Sequence, residues 1–441
     1  MIGRPEARMT LRLAAINAGV AVWHSRAGAR RVRRRLSSSG ARLSRRPSGG
    51  ATLTRFDPYD AGVRADPHPA YRSMLAGPNL HYNRRRALWY VVRYEDVRAA
   101  ARAHESLSSA ESVAPYRAHI PMMLTSDRPE HTRLRRLVTR EFTREAVERQ
   151  RPAVEQLAGE AVGEMLAGGE SDGVALLASP LPVMVIARLL GVPESDFPAF
   201  REWSDKLVKG FAMRQGAAAI RDSADILGSA IRLYAYMQGQ FERLRRSPGD
   251  DVLSGLVASS DEGELTPDEL FWFALMLLVA GNETTTNLLG TMMLAFAERP
   301  DQYARVREDP ELVPSAVEEA LRHGSPIQGL YRTAAKDHPV GDATIPTGGR
   351  VLLLFGAANR DPRHYADPDR FDVTRNPTDH LGFGSGIHFC LGAHLARIEG
   401  AVVLRELVDR VERIEPAGDP VWNDNPSVRG LSRLPLRLVP A

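Results

Sequence analysis

The chain has 441 residues, of which 43% are hydrophobic and 25% charged, so it can bury a large core. It contains one cysteine, Cys390, which excludes an internal disulfide and a zinc site made of several cysteines, and which fits a reducing compartment. No apolar run reaches the roughly 18–20 residues of a membrane-spanning helix, so we expect no transmembrane anchor.

The basic residues are concentrated at the N-terminus. Residues 1–50 contain 12 of the 58 basic residues and one of the 54 acidic residues, which gives this segment a net charge of +11 and the remainder −7. The overall charge therefore gives no reason to expect a nucleic acid partner. We interpret residues 1–50 as a disordered extension, or as the product of an upstream start codon, and residues 51–441 as one cytoplasmic domain. The alternative is an organelle transit peptide, because the segment is rich in arginine and serine.

Ordered structure is expected to begin near Phe56. The sequence then predicts a helix over residues 69–75, a strand pair near residues 79–81 and 89–92, and a helix over residues 94–103. Residues 106–124 contain two prolines and no clear period, which predicts a long loop. Loops of that length in a compact domain are usually functional.

A basic amphipathic helix follows this loop. Asp127 is expected to cap the helix just before Pro129. His131 and Arg135, four residues apart, are then on one face. Taken alone, an arginine-rich helix of this kind is most often a solvated surface.

Further amphipathic helices are predicted over residues 145–168, 180–190, 195–208 and 217–246. A break is expected around residues 209–215. It contains Phe211 and Met213, which the sequence pattern alone would explain as ordinary packing residues.

The longest predicted helix begins at Thr266. Thr266 is a good cap, Pro267 follows it in the first turn, and Glu269 lies three residues after the cap. The helix is expected to run to about Glu298, a length of roughly 48 Å at about 1.5 Å per residue, which is enough to cross the domain.

A polar sequence, A-G-N-E-T-T, interrupts this helix at residues 280–285. Burying Glu283 and the threonines is costly unless they have a function. Thr284 can donate a hydrogen bond to the carbonyl of Ala280, and Gly281 is expected to leave a groove on that face. The alternative is a satisfied core threonine beside a surface acid.

Charged residues recur in the last third of the chain. Glu319 and Arg322 are three residues apart on a predicted helix, and Arg370 follows about fifty residues later in the sequence D-P-D-R-F. Arg332 lies between them in a predicted strand. An exposed pair contributes only about 0–1 kcal/mol, so the spacing alone is weak evidence of a function.

Cys390 lies in a stretch that contains Gly382, Gly384, Gly386 and Gly392, and a helix is predicted directly behind it. At a helix N-terminus, unpaired N–H groups and the macrodipole favour the thiolate over the thiol. The glycines allow the backbone to approach a flat group closely. Without this context, a lone cysteine is more often a small buried apolar residue.

Phe383, Gly386, Cys390 and Gly392 match F-x-x-G-x-x-x-C-x-G, the haem-binding signature of the cytochrome P-450 superfamily, which the chain resembles over about residues 55–441. The P-E-H-T-R-L-R-R helix, A-G-x-E-T-T, E-x-x-R and P-x-R-F follow the order and approximate spacing of the family's motifs. The resemblance implies a mainly α fold with a small β-rich region and with haem b between the long central helix and the cysteine loop.

The resemblance also implies a role for each motif. Cys390 would be the axial thiolate ligand, and Glu283 and Thr284 would relay protons beside Ala280 and Gly281 at the oxygen-binding kink. The remaining residues would hold the haem propionates or form a buried structural network. The propionate set is His131, Arg135, Arg332 and His388, and the network is Glu319, Arg322 and Arg370.

The activity implied is monooxygenation, in which one oxygen atom of O₂ enters the substrate. No flavin or nicotinamide module fits in the chain, so electrons would come from a ferredoxin and its NAD(P)H-dependent reductase, with Arg397 as a possible contact. Two alternatives remain open. A peroxygenase of the same fold would not need the acid–alcohol pair, and a haem-binding sensor or carrier would need neither that pair nor an electron donor.

The substrate is expected to be a lipophilic small molecule, because the residues expected to line the pocket are apolar. They lie in residues 106–124, 211–213, 327–330 and 430–431. The individual residues are Met122, Met123, Phe211, Met213, Leu330 and Leu431.

Overall fold

The computed structural model describes residues 50–115, 117, 120–211, 217–249 and 251–441, and only the backbone at residues 141, 205, 208–211 and 217–224. Met213 and the side chain of Phe211, both predicted to face the substrate, therefore lie outside the described part.

Helices make up most of the described chain. In chain order they are α1 Ala61–Ala65, α2 His68–Ala76, α3 Tyr94–Arg102, α4 Glu130–Glu141, α5 Arg144–Glu148, α6 Arg151–Gly168, α7 Pro180–Leu189, α8 Phe197–Phe211, α9 Ala217–Arg246, α10 Val252–Asp261, α11 Pro267–Glu298, α12 Pro300–Glu308, α13 Val313–Gly324, α14 Phe355–Ala358 and α15 Ala393–Arg410. This content confirms the predicted mainly α fold.

The strands are short and form small sheets. They are β1 Thr52–Leu53, β2 Leu80–Asn83, β3 Leu88–Val91, β4 Leu107–Ser108, β5 Glu170–Asp172, β6 Leu330–Ala334, β7 His338–Val340, β8 Ala343–Ile345, β9 Arg350–Leu353, β10 Val411–Pro416, β11 Val421–Trp422, β12 Leu431–Arg433 and β13 Pro435–Pro440. The largest sheet has the order β1-β2-β3-β9-β6-β4, and a second has the order β10-β13-β5. In the largest sheet, β9 pairs in parallel with β3 and antiparallel with β6.

Helix α11 is the central element of the main core, and both of its predicted ends are confirmed. The Thr266 hydroxyl accepts the N–H of Glu269 at 3.2 Å, and the Glu269 carboxylate accepts the N–H of Thr266 at 2.8 Å. Every residue from Leu270 to Leu278 is buried. The helix packs against α7, α8, α13 and α15, which explains why it is apolar on all sides over this stretch.

Several local predictions are confirmed with small shifts of their bounds. The strand pair is β2 and β3, which pair antiparallel from Leu80 opposite Val91 to Asn83 opposite Leu88. The helix predicted over residues 145–168 is instead two helices, α5 and α6, and Pro152 in the first turn of α6 lacks an N–H to continue α5. Helix α8 extends to Phe211, into the predicted break.

The predicted cap at Asp127 is wrong. Helix α4 begins at Glu130 and has Pro129 as its cap residue, with no side-chain hydrogen bond to the first turn. The Asp127 carboxylate instead accepts the hydroxyl of Ser108 at 2.5 Å and the N–H of Ser109 at 3.0 Å. Asp127 therefore connects α4 to strand β4.

The predicted partner of the buried Glu319–Arg322 pair is also wrong. Both side chains are fully buried, and Arg322 donates two hydrogen bonds of 2.7 Å to the Glu319 carboxylate. Arg370 is 54% exposed and lies 3.9 Å from Asp372, so its side chain points away from Glu319. Arg375, which is 16% exposed, occupies the predicted place at 3.4 Å from Glu319.

Arg375 also fixes the irregular segment after α14. Its guanidinium donates hydrogen bonds to the carbonyls of Ala366, Asp367 and Arg370 at 2.7, 3.1 and 3.4 Å. Arg322 donates to the carbonyl of Arg370 at 3.1 Å. Arg370 thus joins the network through its backbone, which any residue could provide.

We predict that Arg375→Ala destabilises the protein by about 2–4 kcal/mol, because it removes an ion pair to a buried carboxylate and a hydrogen bond to each of three carbonyls. Arg370→Ala should change stability by less than about 0.5 kcal/mol, as exposed substitutions usually do. Denaturant unfolding of both variants measures the difference, and equal effects would contradict the assignment.

Candidate active site

The cysteine loop is held in place by tight turns. Residues Leu381–Phe383 and Gly386–His388 each form a single 3₁₀ turn, and the N–H of Cys390 donates to the carbonyl of Phe383 at 2.9 Å. Gly386 has a φ of 77°, and a Cβ there would lie 2.9 Å from the carbonyl oxygen of Ala101 in α3. Only glycine satisfies both conditions at this position.

The pKa of the Cys390 thiol depends on its burial and on the groups around it. The helix behind it begins at Ala393 with Gly392 as its cap residue. Burial raises the pKa of Cys390, while the N–H of Gly392 and the charge of Arg135 act in the opposite direction. The N–H at the helix start therefore favours the thiolate, as expected, but burial outweighs it. A bound metal ion reverses this balance, because a coordinating thiol loses its proton.

Four cationic or potentially cationic side chains gather beside the loop. The rings of His131 and His388 are in edge contact, with centroids 4.5 Å apart. Nε2 of His388 lies 3.1 Å from the hydroxyl of Ser109, whereas Nε2 of the buried His131 has no hydrogen-bond partner in the described part of the chain. Arg135 donates to the carbonyl of Phe389 at 2.9 Å.

Arg332 is as deeply buried as His131, each at 3% exposure, and its guanidinium donates a hydrogen bond to the carbonyl of Tyr331. Burial lowers the pKa of Arg332 to about 10, although the charge of Asp127 raises it. Burial and the neighbouring Arg135 lower the pKa of His131 to about 4. Burial and Arg332 lower the pKa of His388 to about 2.

These shifts have one physical meaning. Two guanidinium groups lie beside two imidazole rings whose low pKa values keep them neutral near pH 7, and Asp127 is the carboxylate that acts on Arg332. All four side chains can donate hydrogen bonds, so the cluster is stabilised by an anion that can accept several of them. The orphaned nitrogen of His131 and the buried guanidinium of Arg332 fit two carboxylates such as the haem propionates.

On the other side, helix α11 presents Thr284 and Ala280. The hydroxyl of Thr284 donates to the carbonyl of Ala280 at 2.7 Å, as predicted. Ala280 is exposed although the preceding turns of the helix are buried, so this turn is accessible to water or to a ligand.

The predicted groove at Gly281 is wrong. A Cβ on Gly281 would lie 2.6 Å from Cδ1 of Ile186, a residue of helix α7. Gly281 therefore allows α7 and α11 to pack closely, and Ile186 fills the space that the missing side chain leaves.

Glu283 is partly buried beside Thr284. Burial raises the pKa of Glu283 to about 7, and a hydrogen bond with Asn425 acts in the opposite direction. The carboxamide oxygen of Asn425 accepts the N–H groups of Ser427 and Val428 at 3.0 and 3.1 Å, which leaves its nitrogen for the carboxyl group. Glu283 can thus hold or release a proton near neutral pH.

Sequence reasoning missed Asn425 and a second acid, Glu399. Glu399 is 2% exposed on α15, where burial raises its pKa to about 8 and a hydrogen bond with Thr285 lowers it. Its position on the helix that directly follows the cysteine loop was a usable signal. No sequence signal marked Asn425, because only the fold brings its loop to α11.

Four of the predicted substrate residues have side chains that the structure describes, and they differ in burial. Met122 and Met123 are each 6% exposed and Leu431 is 3% exposed, all within the main core. Leu330 is partly exposed. Contact of these four residues with a substrate stays a prediction.

A basic cavity of about 550 Å³ opens along α4, beside the cysteine loop. Among its lining side chains are Arg128, Arg135, Arg136 and Arg140, together with Ile387, and none of the lining residues is acidic. Arg397, predicted to meet an electron donor, is instead paired with Glu318 by hydrogen bonds of 2.6 and 3.0 Å.

A buried thiol with unpaired cations at its side has the donor set of a haem-thiolate protein, and comparison with known proteins gives the family. The family model for cytochrome P-450 matches residues 233–438. A Mycobacterium tuberculosis protein named beta-dihydromenaquinone-9 omega-hydroxylase is 44% identical over 400 residues, which are 88% of this chain and 79% of that protein. The monooxygenase PikC of Streptomyces venezuelae is 40% identical over 85% of this chain and 91% of its own length.

Solved structures of cytochromes P-450 are also similar to this chain. Cytochrome P-450 CYP109Q5 from Chondromyces apiculatus superimposes with a TM-score of 0.79 at 33% identity, covering 89% of this chain and 99% of that one. CYP109E1 from Bacillus megaterium, solved with testosterone, gives a TM-score of 0.76 at 33% identity over 84% of this chain and 99% of that one.

The chain belongs to the cytochrome P-450 family and is a haem-thiolate oxidoreductase of the monooxygenase type. Within the described residues, no helix has the length and apolar character to cross a membrane.

We predict that the reduced protein with carbon monoxide shows the strongly red-shifted Soret band of thiolate ligation, and that Cys390→Ser loses this band while the fold is retained. Absorbance spectra of both proteins test the assignment, with circular dichroism as the control for folding. A globin-like spectrum in the unaltered protein would contradict it.

Proposed function

We propose that the protein uses haem b and O₂ to hydroxylate a lipophilic small molecule, with electrons from a separate ferredoxin and its NAD(P)H-dependent reductase. The observation that supports this most directly is the pairing of Thr284, hydrogen-bonded to the Ala280 carbonyl, with Glu283, whose pKa is about 7. A haem carrier or sensor would have no use for a proton donor at this position.

Haem supplies the oxygen chemistry when bound, and the protein supplies its position and environment. Cys390 would provide the axial sulfur. Arg332, His388, His131 and Arg135 would bind the propionates, which would satisfy the orphaned nitrogen of His131 and the buried charge of Arg332.

Thr284 and Glu283 would control protons. The Thr284 hydroxyl is fixed in direction by its bond to Ala280, so its oxygen can accept a hydrogen bond or a proton from a neighbouring donor. Glu283 is partly exposed and can exchange protons with water. Protons would therefore reach the accessible turn at Ala280 along a defined route, which general acid catalysis requires. A peroxygenase would not need this route.

The basic surface formed by Arg128, just before α4, and by Arg136 and Arg140 on α4 would bind the electron donor. It borders the cysteine loop, and although Arg140 lies 3.4 Å from Glu264, the residues that line the cavity include no acid. Phe389, 42% exposed directly before Cys390, would add an apolar contact. An acidic ferredoxin complements such a surface.

The substrate is proposed to be a lipid with an isoprenoid chain. The Mycobacterium tuberculosis relative is named for hydroxylation of a menaquinone and shares 44% of its residues over most of both chains. The structure of CYP109E1 in complex with testosterone indicates that another member of the family binds a different apolar ligand. The buried methionines Met122 and Met123 are flexible enough to repack around a long chain.

We propose further that the protein works in the cytoplasm. Residues 51–441 would form the catalytic domain, and residues 1–50 a basic extension that is not needed for catalysis.

We predict that an isoprenoid quinone shifts the haem of the ferric protein towards high spin in a saturable manner. The same naphthoquinone headgroup without its chain should give a shift at least about tenfold weaker, because the chain carries most of the apolar area. Optical titration measures both. A macrolide or steroid that binds more tightly than the quinone would redirect the substrate assignment.

We predict that Thr284→Ala reduces product per reducing equivalent by about tenfold or more and raises hydrogen peroxide correspondingly, because protons are no longer directed. Haem incorporation and the substrate-induced spectral shift should be unchanged, and added peroxide should partly restore product. The measurement uses a surrogate ferredoxin system, with Thr286→Ala on another side of α11 as the matched control.

The same assay gives a pH test for Glu283. Product per reducing equivalent should fall as pH rises through about 7, because the carboxyl group then loses the proton it donates. Glu283→Gln should remove this dependence. Unchanged ratios of product to peroxide in Thr284→Ala and Glu283→Gln would mean that the pair is structural and that the proposed mechanism fails.

A further inference from the structure

Helix α13 carries two adjacent acids that serve different parts of the molecule. Glu319 faces Arg322 and Arg375, as described above. Glu318, about 100° around the helix, faces the cysteine loop and α15. It is 6% exposed and has no assigned role in the haem-binding motifs.

Two side chains, those of Arg397 and His380, meet at Glu318. Arg397 on α15 donates from Nε at 2.6 Å and from Nη2 at 3.0 Å. Nε2 of His380 lies 3.2 Å from the second carboxylate oxygen. Because Nδ1 of His380 accepts the N–H of Gly382 at 3.0 Å, Nε2 carries the ring proton and points to Glu318. Burial opposes the charge of Glu318, but the hydrogen bonds from His380 and Arg397 prevail and lower its pKa to about 2.

Arg397 connects this cluster to Cys390. Its guanidinium carbon lies 4.7 Å from the centre of the Phe383 ring, a cation–π contact. The carbonyl of the same Phe383 accepts the N–H of Cys390 at 2.9 Å. A continuous series of contacts therefore runs from a helix of the core, through a charge pair and an aromatic ring, to the backbone of the cysteine.

We propose that Glu318, Arg397 and His380 form a positioning site for Cys390, which holds the cysteine loop in its ligating geometry and sets the electron density on the sulfur. The proposal rests on the haem-thiolate function. It assigns Arg397, whose side chain is 35% exposed, to the charge pair with Glu318 and not to the surface that binds the electron donor.

The charges of Arg397 and Glu318 determine the direction in which each substitution should shift the midpoint potential. Arg397 is a cation near the sulfur and Glu318 is the anion that offsets it, so removing each should act on the iron in opposite directions. Loss of the cation favours the ferric state, and loss of the anion favours the ferrous state. A purely structural pair would give shifts of the same sign, or none.

The test is the midpoint potential of the haem-loaded protein, measured by dye-mediated titration with no ferredoxin present. Arg397→Gln should shift the potential to more negative values, and Glu318→Gln to more positive values. In both variants a smaller fraction of the reduced carbon monoxide complex should keep the thiolate band. Arg397→Lys keeps the charge but loses the planar contact with Phe383, so its potential should stay near that of the parent while the thiolate band is less stable.

Arg405→Gln is the matched control, because Arg405 lies on the same helix in an exposed pair at 4.0 Å from Glu311. It should change neither readout. If Arg397→Gln also leaves both readouts unchanged and only weakens ferredoxin binding in a salt-dependent manner, Arg397 is a docking residue and the proposal is overturned. A parent protein without the thiolate band would instead overturn the proposed function, so the two failures are distinguishable.

Discussion

Burial acts against the charged form of every ionisable group at the candidate active site. It raises the pKa of the Cys390 thiol and lowers that of His388, Arg332 and His131. Haem is the complement of this arrangement, because its iron favours the thiolate at one end and its two carboxylates favour the cations at the other. Binding of haem would therefore offset both the cost of burying a thiolate and the cost of burying the cations. The protein can build such a site only by securing the surrounding loops with interactions that do not depend on the ligand.

Those interactions converge on helix α13. Glu319 with Arg322 and Arg375 fixes the irregular segment after α14, while Glu318 with Arg397 fixes the loop that holds Cys390. Breaking a buried pair costs more than forming it contributes, since the remaining charge is left without a partner. The side of the site that bears the cysteine is thus rigid. The opposite side depends on one turn of α11, where a hydroxyl and a carboxyl group retain access to water.

The sequence predicted well those features that neighbouring residues determine. The ends of α11 follow from the Thr266–Glu269 capping box and from Pro300, and the cysteine loop from its glycines. The sequence did not identify which of two nearby arginines pairs with Glu319. Arg370 and Arg375 lie on an irregular segment, where no helical or strand period predicts the direction of a side chain. The groove predicted at Gly281 was wrong because Ile186, which fills that space, belongs to another helix. Asn425 could not be found at all, because it reaches Glu283 only through the fold.

The single cysteine has a practical consequence for the study of this chain. Because Cys390 is the one thiol in 441 residues, a second cysteine placed on the surface could be labelled with a probe and would have no exposed native competitor while the iron is bound. Loss of the cofactor would then appear as an additional equivalent of reactive sulfur. The residue proposed to bind the haem iron would in this way also report, by simple stoichiometry, how much of a preparation has lost its cofactor.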